Sequence, residues 1–411
     1  MNNSNSSALG STTLTDWRIV TKKNAGVLET MLARRISLYF KNTCNTPLPI
    51  SDDTTETANE ILVGNTTRTT LAPEKNGFAV SFTGGKLQLA MDGLRGFEGL
   101  LEYVESRLFC SQISDGFSYV AKPKNKLDDG TRFIDSRLGD IRVMFYNVYG
   151  WSGYGPSNVR HAMQTEIVKE YAPDVLCLQE YGQMPPHVCY HECFTPLMQA
   201  NGYTDASVHT DYVNNTPLFY RRDKLSLIKS GCFLYSQPNN ANSKSITWAV
   251  LRVKATGKSF ISISTHLMYD QPGIDANAAR VQNAHEMLNV ISDIRSLDHA
   301  FADIPLIMGG DMNCNESSEP HKIFTAAGLI RAFRVAEEKN DNCCLHPYPT
   351  WSDDDGTFVC WACVGGTNEN AIDHAYVSEN VTVKTYASVT STVPLWCSDH
   401  MPLIVEINIL S

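Results

Sequence analysis

No stretch of the 411-residue chain comes near the roughly 18 consecutive apolar residues needed to cross a bilayer, so no transmembrane segment is predicted. Positive charge is scarce as well. With 34 Lys and Arg against 44 Asp and Glu the formal charge is −10, which speaks against a broad basic surface for nucleic-acid backbones. Charged residues make up 19% of the chain and hydrophobic ones 43%, so a disordered polyelectrolyte is excluded. The 26 Gly and 18 Pro are too few for a collagen-like chain. The first residues, MNNSNSSALGSTTLTDW, lack both the basic start and the apolar stretch of about 7–15 residues that make a secretory leader. A cytoplasmic protein with a flexible tail over residues 1–14 is the expectation. GxSxG and GxxxxGK[ST] are missing, which leaves no anchor for α/β-hydrolase or P-loop chemistry.

Cysteine is not scarce, but the 12 residues lack the dense, regular spacing of a disulfide scaffold. Cys360 and Cys363 form a CxxC that would need Cys343 and Cys344 as a second pair to hold zinc. His187, Cys189, His191 and Cys193 form a second loose cluster. Reduced, unligated thiols are the simpler expectation for both.

A charged, turn-rich stretch from Lys122 to Gly130 marks a linker over 122–139, between a domain at 15–121 and another at 140–411. In the first domain the apolar spacing predicts helices over Val27–Phe40 and Gly96–Phe109. A strand is predicted at Glu60–Gly64, and a hairpin joins Gly77–Phe82 to Lys86–Met91 across Gly84-Gly85. Two helices on a small sheet make an α+β layer. From residue 140 onward strands and helices alternate. Strands are predicted at Ile141–Tyr146, Val175–Leu178, Ser259–Thr265, Pro305–Met308, Ala371–Val377 and Leu403–Ile409. Helices are predicted at Asn158–Tyr171 and Ala276–Ile294.

The informative feature is where polar residues fall. Asn147 ends IRVMFY, Gln179-Glu180 ends DVLCL, and His266 ends FISIST. Asp311-Met312-Asn313 follows PLIMGG, Asp373 interrupts NENAIDHAYV, and Ser398-Asp399-His400 precedes MPLIVEI. Any one of these is an ordinary turn residue, but the set gathers carboxylates, amides and imidazoles at a sheet rim. Their chemistry is coherent. Glu180 can hold a hard divalent cation through oxygen, since Mg²⁺ takes one or two carboxylates and keeps several waters. Two histidines that titrate near neutrality can stabilise or protonate phosphoryl oxygens. Asp373 or Asp399 could fix an imidazole tautomer, Asp311 could position or deprotonate a water, and Asn313 could donate to a phosphate oxygen.

Taken in order, NVYGW, LCLQE, STHL, GGDMN, AIDHAYVS and SDHMPL, between Ile141 and Ile409, resemble the endonuclease/exonuclease/phosphatase superfamily of metal-dependent phosphodiesterases and phosphomonoesterases. Tyr220-Arg221, Arg280 and Gln282 add to that likeness. The resemblance implies an α/β fold of two packed mixed β-sheets flanked by helices, a four-layer sandwich with its site at one rim. It implies Glu180 as the principal Mg²⁺ ligand, with Mn²⁺ as a substitute, and Asn147 and Asp399 near the metal. His266 would contact the scissile phosphate, Asp311 would activate or orient water, and Asn313 would bind phosphate. His400 would act as general acid/base or transition-state stabiliser, and Asp373 would orient one of the two histidines.

The implied function is hydrolysis of a phosphodiester or phosphomonoester by activated water. The substrate would be a phosphorylated small molecule, a lipid head group or a nucleic acid, with no obligate protein partner evident. A catalytically inactive phosphate-ligand binding protein of the same fold is the alternative. Trp151, Tyr154 and Tyr269 could stack on a base or sugar, and Asp353–Asp355 reads as a solvated turn. Over about residues 15–115, ILVGN, GFAVSF and KLQLAMDG resemble the small α+β domain that precedes the barrel in several glycoside hydrolase families. No barrel follows, so a packing or substrate-positioning module is expected there.

Overall fold

Apolar strands alternate with amphipathic helices along most of the chain, and among the described residues all but four strands find partners in one of three larger sheets, those four forming two short two-stranded sheets. A computed structural model describes residues 14–109, 113–121, 137–150, 157–182, 190–207, 213–339, 343–345, 349–351, 358–360, 364–366 and 370–410. The chain divides into two units, residues 1–132 with 350–359, and residues 133–349 with 360–411. Among the described residues no helix is long and apolar enough to cross a membrane.

The first unit contains β1 (Trp17–Thr21), α1 (Val27–Cys44), β2 (Ile50–Asp52), β3 (Asn59–Val63), β4 (Phe78–Thr83), β5 (Lys86–Met91), α2 (Gly93–Tyr103) and β6 (Phe117–Ala121). The six strands form one mixed sheet in the order β2-β1-β3-β5-β4-β6. Helix α1 buries Leu28, Met31, Leu32, Ile36 and Phe40, the i, i+3, i+4 stripe that a half-covered helix needs. It packs on β1 and on α2, which itself covers β4 and β5. The β4–β5 hairpin turns through Gly84 and Gly85 at φ 56° and 77°, and a Cβ on Gly85 would stand 2.6 Å from the Ala58 carbonyl oxygen. The second helix stops short of the predicted Phe109: regular α geometry ends at Tyr103, and Val104–Leu108 continues as a π-turn.

The second unit holds β7 (Ile141–Asn147), α3 (Ser157–Tyr171), β8 (Val175–Gln179), α4 (Tyr190–Ala200), β9 (Tyr203–Asp205), β10 (Leu218–Arg221), β11 (Leu225–Leu234), β12 (Ser245–Val253), β13 (Ser259–His266), α5 (Ala276–Ser296) and β14 (Leu306–Asp311). It continues with α6 (Glu319–Ala326), β15 (Ile330–Arg331), α7 (Ala332–Val335), β16 (Glu338–Lys339), β17 (Cys343–Leu345) and β20 (Val364–Gly366), while most of β18 (Pro349–Trp351) and β19 (Phe358–Cys360) falls in the 350–359 segment of the first unit. The last elements are β21 (Asp373–Val377), β22 (Val381–Ser388), α8 (Thr392–Cys397) and β23 (Leu403–Ile409). One sheet has the order β16-β22-β23-β7-β8-β10-β9, the other β11-β12-β13-β14-β21-β15, and both mix parallel and antiparallel pairs. Val143, Phe145, Val175 and Val405 from the first sheet meet Ala249, Leu251, Ile307 and Ala375 from the second in a shared core. On the far face of the second sheet Ile261, Ile263 and Met308 pack against Ala284, Met287 and Ile291 of α5. Helix α3 packs against α4 and α8. The fold is thus a mixed α/β sandwich of two face-to-face sheets flanked by helices.

Register decides what arrives at the rim. Parallel pairing sets Asn147 of β7 beside Gln179 of β8, and His266 of β13 beside Asp311 of β14. Antiparallel pairing sets Asp311 beside Asp373, the first residue of β21. Strand β23 runs back along β7 with Leu403 opposite Phe145, so the turn before it, Ser398 to His400, lies at the end where β7 finishes.

Candidate active site

Each strand end delivers one side chain, and Asp311 is the hub. Its carboxylate is buried at 1% exposure, and its Oδ1 accepts the backbone N–H of Asn313 at 2.8 Å, an Asx turn that points Oδ2 into the cleft. Oδ2 accepts the amide N–H of Asn147 at 3.0 Å and faces His266 Nε2 at 3.3 Å and His400 Nε2 at 3.6 Å. Asn147 is itself locked, its Oδ1 accepting from the Tyr149 backbone at 3.0 Å. Asp373 Oδ2 lies 2.8 Å from His400 Nδ1, so the histidine it contacts is His400. The turn carrying His400 is stapled to β7. Ser398 donates its hydroxyl to the Asn147 carbonyl at 2.6 Å and accepts the His400 N–H at 3.1 Å.

Glu180 and Asn313 have left-handed backbones, φ 57° and 51°, a costly conformation for residues with a Cβ and one that clusters at functional sites. Ligand atoms of Glu180, His266 and Asp311 lie within 4.8 Å of one another, as do those of Asp311, Asp373 and His400. The geometry therefore brings seven of the eight sequence-selected residues together through Asp311: Asn147, Glu180, His266, Asp311, Asn313, Asp373 and His400. Asn313 is partly committed, since its side-chain amide donates to the Leu267 carbonyl at 3.0 Å. Asp399, the eighth, stands beside His400, half-buried, and its Oδ1 has no hydrogen-bond partner among the described residues.

The charges sort by environment. Burial opposes ionisation of Asp311, yet the imidazoles of His400 and His266 and the Lys244 ammonium hold its carboxyl well below the usual range. Burial also opposes charging of His400, but Asp373, Asp311 and Asp399 outweigh it and hold the imidazole protonated well above its ordinary value. His266 moves the other way, lowered by burial and by Lys244. Burial, with Glu180 and Asp311 adding repulsion, pushes Asp399 up to about 7 against the pull of His400. An orphaned, half-buried carboxylate oxygen among other oxygen donors is the arrangement a hard divalent cation would complete, so the residues present fit such an ion.

Sequence reasoning missed Lys244. It is buried, its ammonium is 2.7 Å from His266 Nε2 and 3.2 Å from Nδ1, and it sits 5.1 Å above the Tyr269 ring. The signal was available in mirror image: β12 runs antiparallel to β13, so its first residues, not its last, reach this rim. The other selected residues serve elsewhere. Arg280 donates to the Met268 carbonyl at 3.0 Å and pairs with Asp270, bracing the loop after His266, whereas Arg221 pairs with Asp223. Gln282 donates to Glu286 on the surface of α5. His191 Nε2 lies 3.2 Å from the Asn214 carbonyl oxygen, and Cys193 is half-buried on α4 and forms no disulfide. Trp151, Tyr154, His187, Cys189, Asp353–Asp355 and Cys363 lie outside the described residues, and most of the 122–139 linker does too.

Nocturnin from Xenopus laevis is 24% identical over 237 residues, 51% of this chain and 57% of that protein. Nocturnin from Mus musculus is 24% identical over 249 residues, 53% of this chain and 55% of that protein. The chain spans about half the length of the curated relatives it matches. Among solved structures, an endonuclease/exonuclease/phosphatase from Bacteroides vulgatus aligns with a TM-score of 0.49 at 20% identity, over 66% of this chain and 98% of that one. The sequence pattern described as Endonuclease/Exonuclease/phosphatase family matches residues 144–400, well over half of the chain, and the chain belongs to that family.

Proposed function

We propose that this chain is a hydrolase that cleaves a phosphoester, monoester or diester, by attack of a water molecule, with Mg²⁺ as its cofactor and Mn²⁺ as a substitute. The observation that carries the reading is Asp311 Oδ2, which accepts from Asn147 at 3.0 Å and faces His266 and His400 at 3.3 and 3.6 Å where three strands end. Glu180 would be the principal ligand for the cation, with Asn147 and Asp399 near it; Glu180 lies in a cluster of ligand atoms, and Asp399 Oδ1 has no hydrogen-bond partner among the described residues. Bound there, the cation supplies Lewis-acid polarisation of the phosphoryl group and neutralises charge as it develops.

The protein's own groups then divide the work. Asp311, kept ionised by its neighbours, orients the attacking water and accepts its proton. His266, neutral, donates to a phosphoryl oxygen, and Asn313 offers its remaining amide N–H to the same group. His400, kept protonated and fixed through Nδ1 by Asp373, stabilises the transition-state charge or hands a proton to the leaving oxygen. The substrate is a phosphorylated small molecule, a lipid head group or a nucleic acid, met in the cytoplasm. The −10 charge weighs against strong non-specific nucleic-acid binding. Residues 15–121 act as an accessory domain, 122–139 as a linker and 140–411 as the catalytic domain.

The test is a panel of phosphomonoesters, phosphodiesters and oligonucleotides assayed with Mg²⁺, with Mn²⁺ and with excess EDTA. Turnover that depends on the metal is expected. A wild-type rate in excess EDTA would overturn the metal's role. Phosphate binding without turnover on any substrate would leave the inactive binding protein in its place.

A further inference from the structure

The roles above leave Lys244 unused, and its placement is built rather than incidental. Asn239 clamps its backbone: Oδ1 accepts from Lys244 N at 2.9 Å, and Nδ2 donates to the Lys244 carbonyl at 2.8 Å and to the Tyr235 carbonyl at 2.8 Å. The side chain starts from that fixed turn just before β12, where Ile246 pairs with Thr265, and this register carries it to His266. The result is an ammonium at 3% residue exposure. Among the described residues its one hydrogen-bond partner is the His266 ring, and no carboxylate oxygen lies within 4.0 Å of Nζ.

That partner is insufficient. A neutral His266 that donates from Nε2 to Asp311 Oδ2, 3.3 Å away, can accept from the ammonium only at Nδ1, 3.2 Å away, and so satisfies one of its N–H groups at most. An ammonium has three N–H groups to satisfy, and Glu180 and Asp311 attract this one without placing a carboxylate oxygen within hydrogen-bond reach of it. The Tyr269 ring closes one side and offers only its π-face. The missing partner is therefore an anion from outside, presented where His266 faces the cleft.

We propose that Lys244 is a substrate-binding cation of this site, its ammonium donating to a non-bridging oxygen of the scissile phosphoryl group beside His266. The inference rests on the phosphoesterase reading and adds to it a residue for recognising the phosphoryl charge. Burial brings the Lys244 pKa down to about 8 against the pull of Glu180 and Asp311, which leaves the group mostly protonated at neutral pH.

The test compares the 411-residue wild-type chain, Lys244→Met and Lys244→Arg, all with Mg²⁺. The readouts are kcat/KM on a generic phosphoester, calorimetric Kd for inorganic phosphate, and the thermal midpoint. Lys244→Met should lower kcat/KM about 10²-fold and weaken phosphate binding about tenfold or more, with an unchanged or higher midpoint because a buried charge is gone. Lys244→Arg should recover part of both losses. A Lys244→Met protein within about threefold of wild type in phosphate Kd overturns the proposal, as does one that binds phosphate normally and only melts lower. Lys244→Gln takes the place of Lys244→Met if the latter does not fold. A wild type that hydrolyses nothing overturns the phosphoesterase reading instead, and the phosphate titration still decides the part played by Lys244.

Discussion

At the scale of single residues, the 2.8 Å contact between Asp373 and His400 Nδ1 sets what the imidazole can do. With a carboxylate on Nδ1, the other nitrogen is the one turned to Asp311 and the cleft. If the protonated imidazole is the working form, activity falls as pH rises through its raised pKa. Asp373→Asn removes the largest of the stabilising charges, so that alkaline limb should move to lower pH, with kcat reduced about 10- to 100-fold. A pH–rate profile of the variant checks this; an unmoved limb excludes His400 as the group titrating there. Glu180 makes a separate prediction. Glu180→Gln keeps the shape and removes the charge, so the Mg²⁺ concentration for half-maximal rate should rise at least tenfold with the fold intact, measured by metal titration alongside circular dichroism.

At the scale of elements, the strand-end pattern was legible because β7, β8 and β14 are buried along their whole length, β13 is buried at all but its first residue, and each stops at a polar residue. A run of apolar residues closed by Asn, Gln-Glu, His or Asp needs no knowledge of pairing to be read. What the sequence hid depends on pairing. Strand β22 slips register between Val383 and Thr385, and that bulge breaks the two-residue period by which a strand announces itself. Strand β11, at the sheet edge, leaves most of its side chains half-exposed or exposed, so it carries little apolar signal. Lys244 escaped for the same reason: only the antiparallel register of β12 on β13 places the beginning of a strand at the rim. That Asp373 contacts His400 follows from β21 lying beside β14, again a matter of register.

The same strand shows why GGD stands at the hub. Gly310, at φ 139°, has no room for a side chain: a Cβ there would come within 2.1 Å of the Thr265 carbonyl oxygen. Gly310→Ala should therefore pry β13 from β14 just where His266 meets Asp311, costing on the order of 3 kcal/mol and lowering activity with it. Urea midpoints of variant and wild type measure the first, and a midpoint within experimental scatter of wild type would show that the strand pair yields without cost.

At the scale of the whole molecule, an acidic chain has buried several carboxylates by surrounding them with cations. Glu406 meets Arg142, Asp174 meets Arg137 and Lys224, and Glu60, with no exposed surface, meets Arg18, Arg68 and Lys86. Burial pushes the Glu60 carboxyl up, but hydrogen bonds from Arg18, the Thr57 backbone and Lys86 overcome it and leave it at about 2. A carboxyl depressed in the folded state contributes stability that is fully present above its unfolded pKa, near 4.5, and is lost as pH falls toward about 2. With partners that are themselves partly exposed, the contribution is on the order of 1–2 kcal/mol. Glu60→Gln should thus be less stable than wild type at pH 6 by about that amount, because Arg18 and Arg68 lose their anion. The gap should close as the pH is lowered from 4.5 toward 2, since the wild-type carboxylate is then neutral too. Denaturant midpoints of both proteins at several pH values in that window measure the gap directly. A difference that stays constant across the window would mean that Glu60 acts by packing and hydrogen bonding alone, with its charge contributing nothing.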